Sequence, residues 1–69
     1  MKRRDLMNWL SQHGCELVRE GSRHSWWRNP AARRHSAVPR HTEIEEFLVR
    51  KICRDLGIPS PDRPDQIAE

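Results

Sequence analysis

Apolar residues in the first dozen positions recur at intervals of three and four: Leu6, Met7, Trp9 and Leu10, with His13 continuing the stripe. This spacing predicts an amphipathic helix over residues 3–13, stopped by Gly14. From Cys15 the period falls to two, with Cys15, Leu17 and Arg19 alternating with Glu16, Val18 and Glu20, and a strand is predicted. Gly21-Ser22 supplies a turn. Residues 23–29, which include Trp26 and Trp27, form a return strand, because aromatic side chains suit a pleated, half-buried surface and Asn29-Pro30 ends the run. A third strand is expected around His35 to Val38, closed by Pro39, which has no N–H for a continuing ladder.

A second helix follows. Thr42 with Glu45 three residues on matches a capping box, and Ile44, Phe47, Leu48, Ile52 and Leu56 are expected to form its apolar face. Acidic residues at its start and Arg50, Lys51 and Arg54 near its end suit the helix dipole, and Gly57 with Pro59 terminates it. Residues 59–69 carry Pro61 and Pro64 among charged and small residues and are expected to be a flexible tail. The reading is an α+β fold, α-β-β-β-α, in which two helices cover one face of a three-stranded antiparallel sheet and leave the other wet. Residues 1–58 form the single domain.

The length of 69 residues enforces that economy, because a domain this small buries only about 60% of the surface of its unfolded chain. A deep cofactor cavity is excluded and any active site must be shallow. No apolar run approaches the roughly 20 residues of a membrane span, and the start is charged, so a cytoplasmic protein is expected. Cys15 and Cys53 stand apart, with no second cluster to build a zinc site, and are read as small buried hydrophobes; neither a metal nor a cofactor is expected.

Charge changes this picture when it is divided along the chain. The net charge is only +3, but residues 19–40 hold six arginines against the single Glu20, a net of +5, while the second helix and the tail are acidic. Arginine without lysine suits bidentate phosphate recognition, since the guanidinium fork matches two phosphate oxygens. Alternation sorts the two tryptophans: with Trp27 and Ser25 turned to the helices, His24, Trp26 and Arg28 share the open face, whereas the opposite assignment buries unpaired charge. An exposed aromatic among cations is what a single-stranded nucleic acid surface needs. The plainer alternative is a solvated sheet face.

His24 follows the turn directly and has Arg23 and Arg28 nearby in sequence. Histidine, with an unperturbed pKa of about 6.5, can both take and give a proton near neutral pH. RNA can therefore be cut without a metal if such a group removes the 2′-hydroxyl proton while cations stabilise the phosphate.

Three segments carry a family resemblance: Gly21-Ser22-Arg23-His24, Val38-Pro39-Arg40-His41, and the helix ending in Leu56-Gly57-Ile58. In order and spacing, residues 3–58 resemble the HicA family of toxin–antitoxin mRNA interferases. The resemblance implies a fold similar to double-stranded-RNA-binding domains, metal-independent cleavage of mRNA, a catalytic histidine at His24, and neutralisation by a HicB-type antitoxin that covers the site. Ser22, Arg23, Trp26, Arg28 and Arg40 are then the candidate RNA-binding residues, and His41 a candidate second proton-transfer group. Many members have a second histidine beside the first, where this chain has Arg23 and Ser25. The principal alternative is a non-catalytic RNA-binding module of the same shape, disfavoured by the acidic start of the second helix; a DNA-binding regulator lacks a helix-turn-helix pair.

Overall fold

The computed structural model describes residues 1–67, with side chains described to residue 62. Helix α1 (Arg3–Gln12) is followed by strands β1 (Glu16–Glu20), β2 (His24–Asn29) and β3 (Arg34–Pro39), helix α2 (Glu46–Leu56), and two short strands, β4 (Pro59–Ser60) and β5 (Arg63–Ile67). β1, β2 and β3 form one antiparallel sheet in that order, with β2 central. The expected α-β-β-β-α architecture is thus present.

One core joins both helices to one face of the sheet. Leu6 and Leu10 from α1 and Val49, Ile52, Cys53 and Leu56 from α2 meet Trp27 and Val38 there. β2 alternates cleanly: Ser25, Trp27 and Asn29 are buried, and His24, Trp26 and Arg28 are exposed. Trp27 is 4% exposed and Trp26 41%, so the division of the tryptophans follows the period of two. Cys15 and Cys53 are buried free thiols, and burial pushes Cys53 up to about 12, which leaves it a neutral apolar residue.

The start of α2 differs from expectation. The helix begins at Glu46, Glu45 is its N-cap residue, and no side chain caps it, so the Thr42 capping box does not form. The competing partner is the beginning of the chain. Arg3 N–H donates to the Thr42 carbonyl (2.8 Å), Ile44 N–H donates to the Met1 carbonyl (2.8 Å), and Lys2 forms an antiparallel bridge with Glu43. Backbone bonds to residues 1–3 hold 42–44 extended, and a single side-chain cap does not offset them.

The buried face of the helix also differs from the expected one. Val49, Ile52, Cys53 and Leu56 face the core, while Phe47, expected among them, is 65% exposed. At about 100° per residue Phe47 points almost directly away from the centre of that stripe. At the other end Gly57 (φ 70°) adopts the left-handed conformation and Ile58 N–H returns to the Cys53 carbonyl, a glycine-type helix stop. Asn29 Nδ2 donates to the Leu56 carbonyl (2.8 Å), which fastens this end to β2.

Two further elements differ from a plain reading of the pattern. All five β1 residues are exposed, and the register shifts between Leu17 and Arg19, so this edge strand contributes little to the core. The segment read as a tail pairs Pro59–Ser60 with Arg63–Ile67. Packing also continues past residue 58: Ser60 is buried, and Trp9 Nε1 donates to the Pro59 carbonyl (2.8 Å). Ala68 and Glu69 of the expected tail lie outside the described residues.

Candidate nucleic-acid site at the hairpin and the edge of β3

The turn that carries His24 is closed by backbone bonds on two sides. Gly21 N–H donates to the His24 carbonyl (2.8 Å), and Arg40 N–H donates to the Arg23 carbonyl (3.1 Å). A Cβ at position 21 would stand 3.1 Å from that same His24 carbonyl, so glycine allows the close approach that holds the turn tight. His24 therefore leaves the sheet from a fixed backbone, as the first residue of β2, opposite Pro39.

His24 and His41 line one shallow groove of about 330 Å³, together with Pro39, Ile44, Glu45 and Phe47. The groove runs from the open face of the sheet over the edge of β3 to the first turn of α2. Beside it, across Arg40-His41-Thr42, lies a second groove of about 360 Å³ lined by Lys2, Arg3, Arg4, Arg40 and Thr42. One groove has histidines and an aromatic ring, and the other is cationic.

A carboxylate network supports this region from behind. Ser25 Oγ donates to Glu20, Arg3 Nη2 donates to Ser25 Oγ, Arg40 Nη1 bonds Glu20 Oε2 (2.9 Å), and Arg3 Nε reaches the Pro39 carbonyl (3.0 Å). Glu20 thus ties together α1, the hairpin and the end of β3. The Ser25 hydroxyl, and then the charges of Arg40 and Arg3, hold the Glu20 carboxyl below its ordinary value. A depressed folded-state value means that this stabilisation is complete above the unfolded value near 4.5 and is lost as pH falls through the folded one. Glu20→Gln is therefore expected to lower the melting temperature at pH 7, with the gap to the parent narrowing towards pH 3; thermal melts across that range check it, and a constant gap would overturn it.

The candidate RNA-binding residues separate on this surface. Ser22 and Arg23 are exposed in the turn, and Arg23 has no side-chain partner among the described residues. Arg40 belongs to the cationic groove but also pairs with Glu20. Trp26 is exposed beside His24, their ring centroids 6.4 Å apart, and lines a separate depression with Val18, Arg19 and His35. Arg28 is paired with Glu16 (2.9 Å) and lies four residues along β2 from His24, roughly 13 Å away at strand spacing. Like Trp26, it does not line the His24 groove.

Lys2, Arg3, Arg4 and Phe47 were not among the sequence candidates. The three cations form a basic run in the sequence, but only the fold brings them beside Arg40. The phase of α2 could have identified Phe47, since Val49, Ile52, Cys53 and Leu56 already make a complete stripe without it. Among the described residues no three His, Cys, Asp or Glu side chains converge as a metal-ligand set, and no helix is long and apolar enough to cross a membrane.

No curated protein and no solved structure matches the chain. A family model described as the HicA toxin of bacterial toxin–antitoxin matches residues 3–58, which include both helices, the whole sheet and both histidine-bearing loops. The chain belongs to the HicA toxin family of bacterial toxin–antitoxin systems.

Proposed function

We propose that this toxin is a metal-independent endoribonuclease that cleaves mRNA and is neutralised by a HicB-type antitoxin seated over the His24 groove. The observation that carries the reading is the exposed His24 on a doubly fastened turn, sharing one groove with His41 and bordered by the cations of the next. In the cleavage step His24 removes the proton of a ribose 2′-hydroxyl, whose oxygen bonds to the adjacent phosphorus as the bond to the 5′-oxygen breaks. His41 is the candidate donor of a proton to that departing oxygen. Arg23 and Arg40 stabilise the charge that grows on the phosphate oxygens. The products are a 2′,3′-cyclic phosphate and a free 5′-hydroxyl.

Arg40 has a double allegiance in this scheme. In the free protein it is held by Glu20, and an incoming phosphate would share or replace that carboxylate. An antitoxin can use the same feature, presenting its own carboxylates to the cationic groove, so that association slows as salt is added.

Incubation of the purified protein with RNA in EDTA tests the reading. Cleavage with cyclic-phosphate ends is expected, and a single 2′-deoxy substitution at the scissile nucleotide should abolish it there. Cutting of the deoxy substrate would overturn the mechanism. Tight RNA binding with no cleavage and no growth arrest on expression would instead support the non-catalytic module.

A further inference from the structure

The His24 groove contains no lysine or arginine. Glu43 and Glu45 line it instead, which makes it a poor seat for a phosphate although a cationic groove adjoins it. The two carboxylates are not equivalent. Glu43 is bonded to Lys2 (3.5 Å), whereas Glu45 is the one carboxylate among the described side chains with neither a cation nor a hydrogen-bond donor. Phe47, the most exposed large apolar side chain among the described residues, stands in the same groove, with Pro39 and Ile44 adding to an apolar lining.

An uncommitted acceptor beside an exposed aromatic ring matches a flat ligand with N–H donors at its edge. Resting on the proposed RNA cleavage, we infer that this groove is a nucleobase subsite: Phe47 stacks the base next to the scissile phosphate, and Glu45 selects guanine. Stacking on an aromatic ring accepts any base. Discrimination comes from the edge. Guanine alone offers an imino N–H and an amino group side by side, which the two oxygens of a carboxylate accept together, whereas adenine and cytosine offer a single amino group and uracil a single imino N–H. The division of labour is then spatial: cations on the Arg40 side hold the backbone, and the Glu45 side reads one base.

The test uses His24→Ala protein, so that RNA stays intact, and fluorescence anisotropy with a hexauridylate and its variants carrying one central guanine, adenine or cytosine. The guanine oligomer is expected to bind on the order of tenfold more tightly than the hexauridylate. Added Glu45→Gln should bring the two within about twofold, because the amide presents one acceptor and one donor. Added Phe47→Ala should weaken all four about tenfold, with recovery in Phe47→Tyr. Both residues are exposed, so thermal melts should stay at the parent value. Absence of a guanine preference, its persistence in Glu45→Gln, or no binding at all overturns the inference. So does a Phe47→Ala protein that loses its antitoxin but keeps its base preference, which would make this a protein-docking groove. These outcomes are separable from failure of the nuclease reading, which is decided by whether protein with His24 intact cleaves RNA.

Discussion

His24→Ala is expected to lower the rate of RNA cleavage by roughly 10² to 10⁴-fold, the range that a positioned proton-transfer group contributes. The loss should fall on kcat and leave RNA affinity almost unchanged, since the proposed scheme assigns phosphate binding to the arginines and base binding to the groove beyond the imidazole. Structural damage would not mimic this result. His24 is exposed, its turn is held by backbone bonds that any side chain leaves intact, and a surface substitution of this kind changes stability by only about 0.5 kcal/mol. Single-turnover cleavage beside a thermal melt makes the measurement. A variant that cuts at the parent rate would remove His24 from the chemistry.

Trp27→Ala is expected to cost about 3 to 5 kcal/mol of folding stability. Trp27 is 4% exposed at the centre of the middle strand and belongs to the cluster that both helices share. For a chain of this length the whole stability is roughly 3 to 10 kcal/mol, so the variant should be largely unfolded at physiological temperature. Its indole N–H has no hydrogen-bond partner among the described residues. Trp27→Phe keeps most of the ring while removing an unsatisfied donor, and should lose much less than the alanine variant. Urea titration of the three proteins checks the order, and an alanine variant with the parent midpoint would show that the core does not depend on this side chain.

The contrast between those residues explains what was legible in the sequence. On β2 the strict period of two left a single acceptable assignment, because turning His24 and Arg28 inward would have buried charge, and the exposures of Trp26 and Trp27 agree with it. The stop of α2 was legible for a similar reason, since a left-handed residue is needed there and Gly57 supplies it. Its start was not. Thr42 and Glu45 form a sound local signal, but the bonds that override it come from residues some 40 positions away, and no window along the chain contains both partners. Phe47 lies opposite the stripe of Val49, Ile52, Cys53 and Leu56 wherever the helix starts, so its exposure is legible from the phase of those four residues. Of the candidate site, His24 and His41 are legible from the turn and the loop that bear them, whereas the place of Glu45 beside them depends on the extended path of 42–44, set by bonds to residues 1–3.

The pairing of residues 1–3 with 42–44 also bears on the order of assembly. The Met1–Ile44 contact spans 43 positions, and closing so long a loop costs entropy that the local β2–β3 hairpin does not incur. The hairpin that presents His24 can form from neighbouring residues, but the ledge opposite it, with His41 and Glu45, takes its shape only after the two ends of this loop meet. Half of the groove therefore depends on a pairing of long sequence separation. Removal of Met1 and Lys2, which spares Arg3 and its bonds to Ser25 and Pro39, should leave the sheet standing and its histidine in place while residues 43 and 44 lose their partners, a change that faster amide exchange at Ile44 would report.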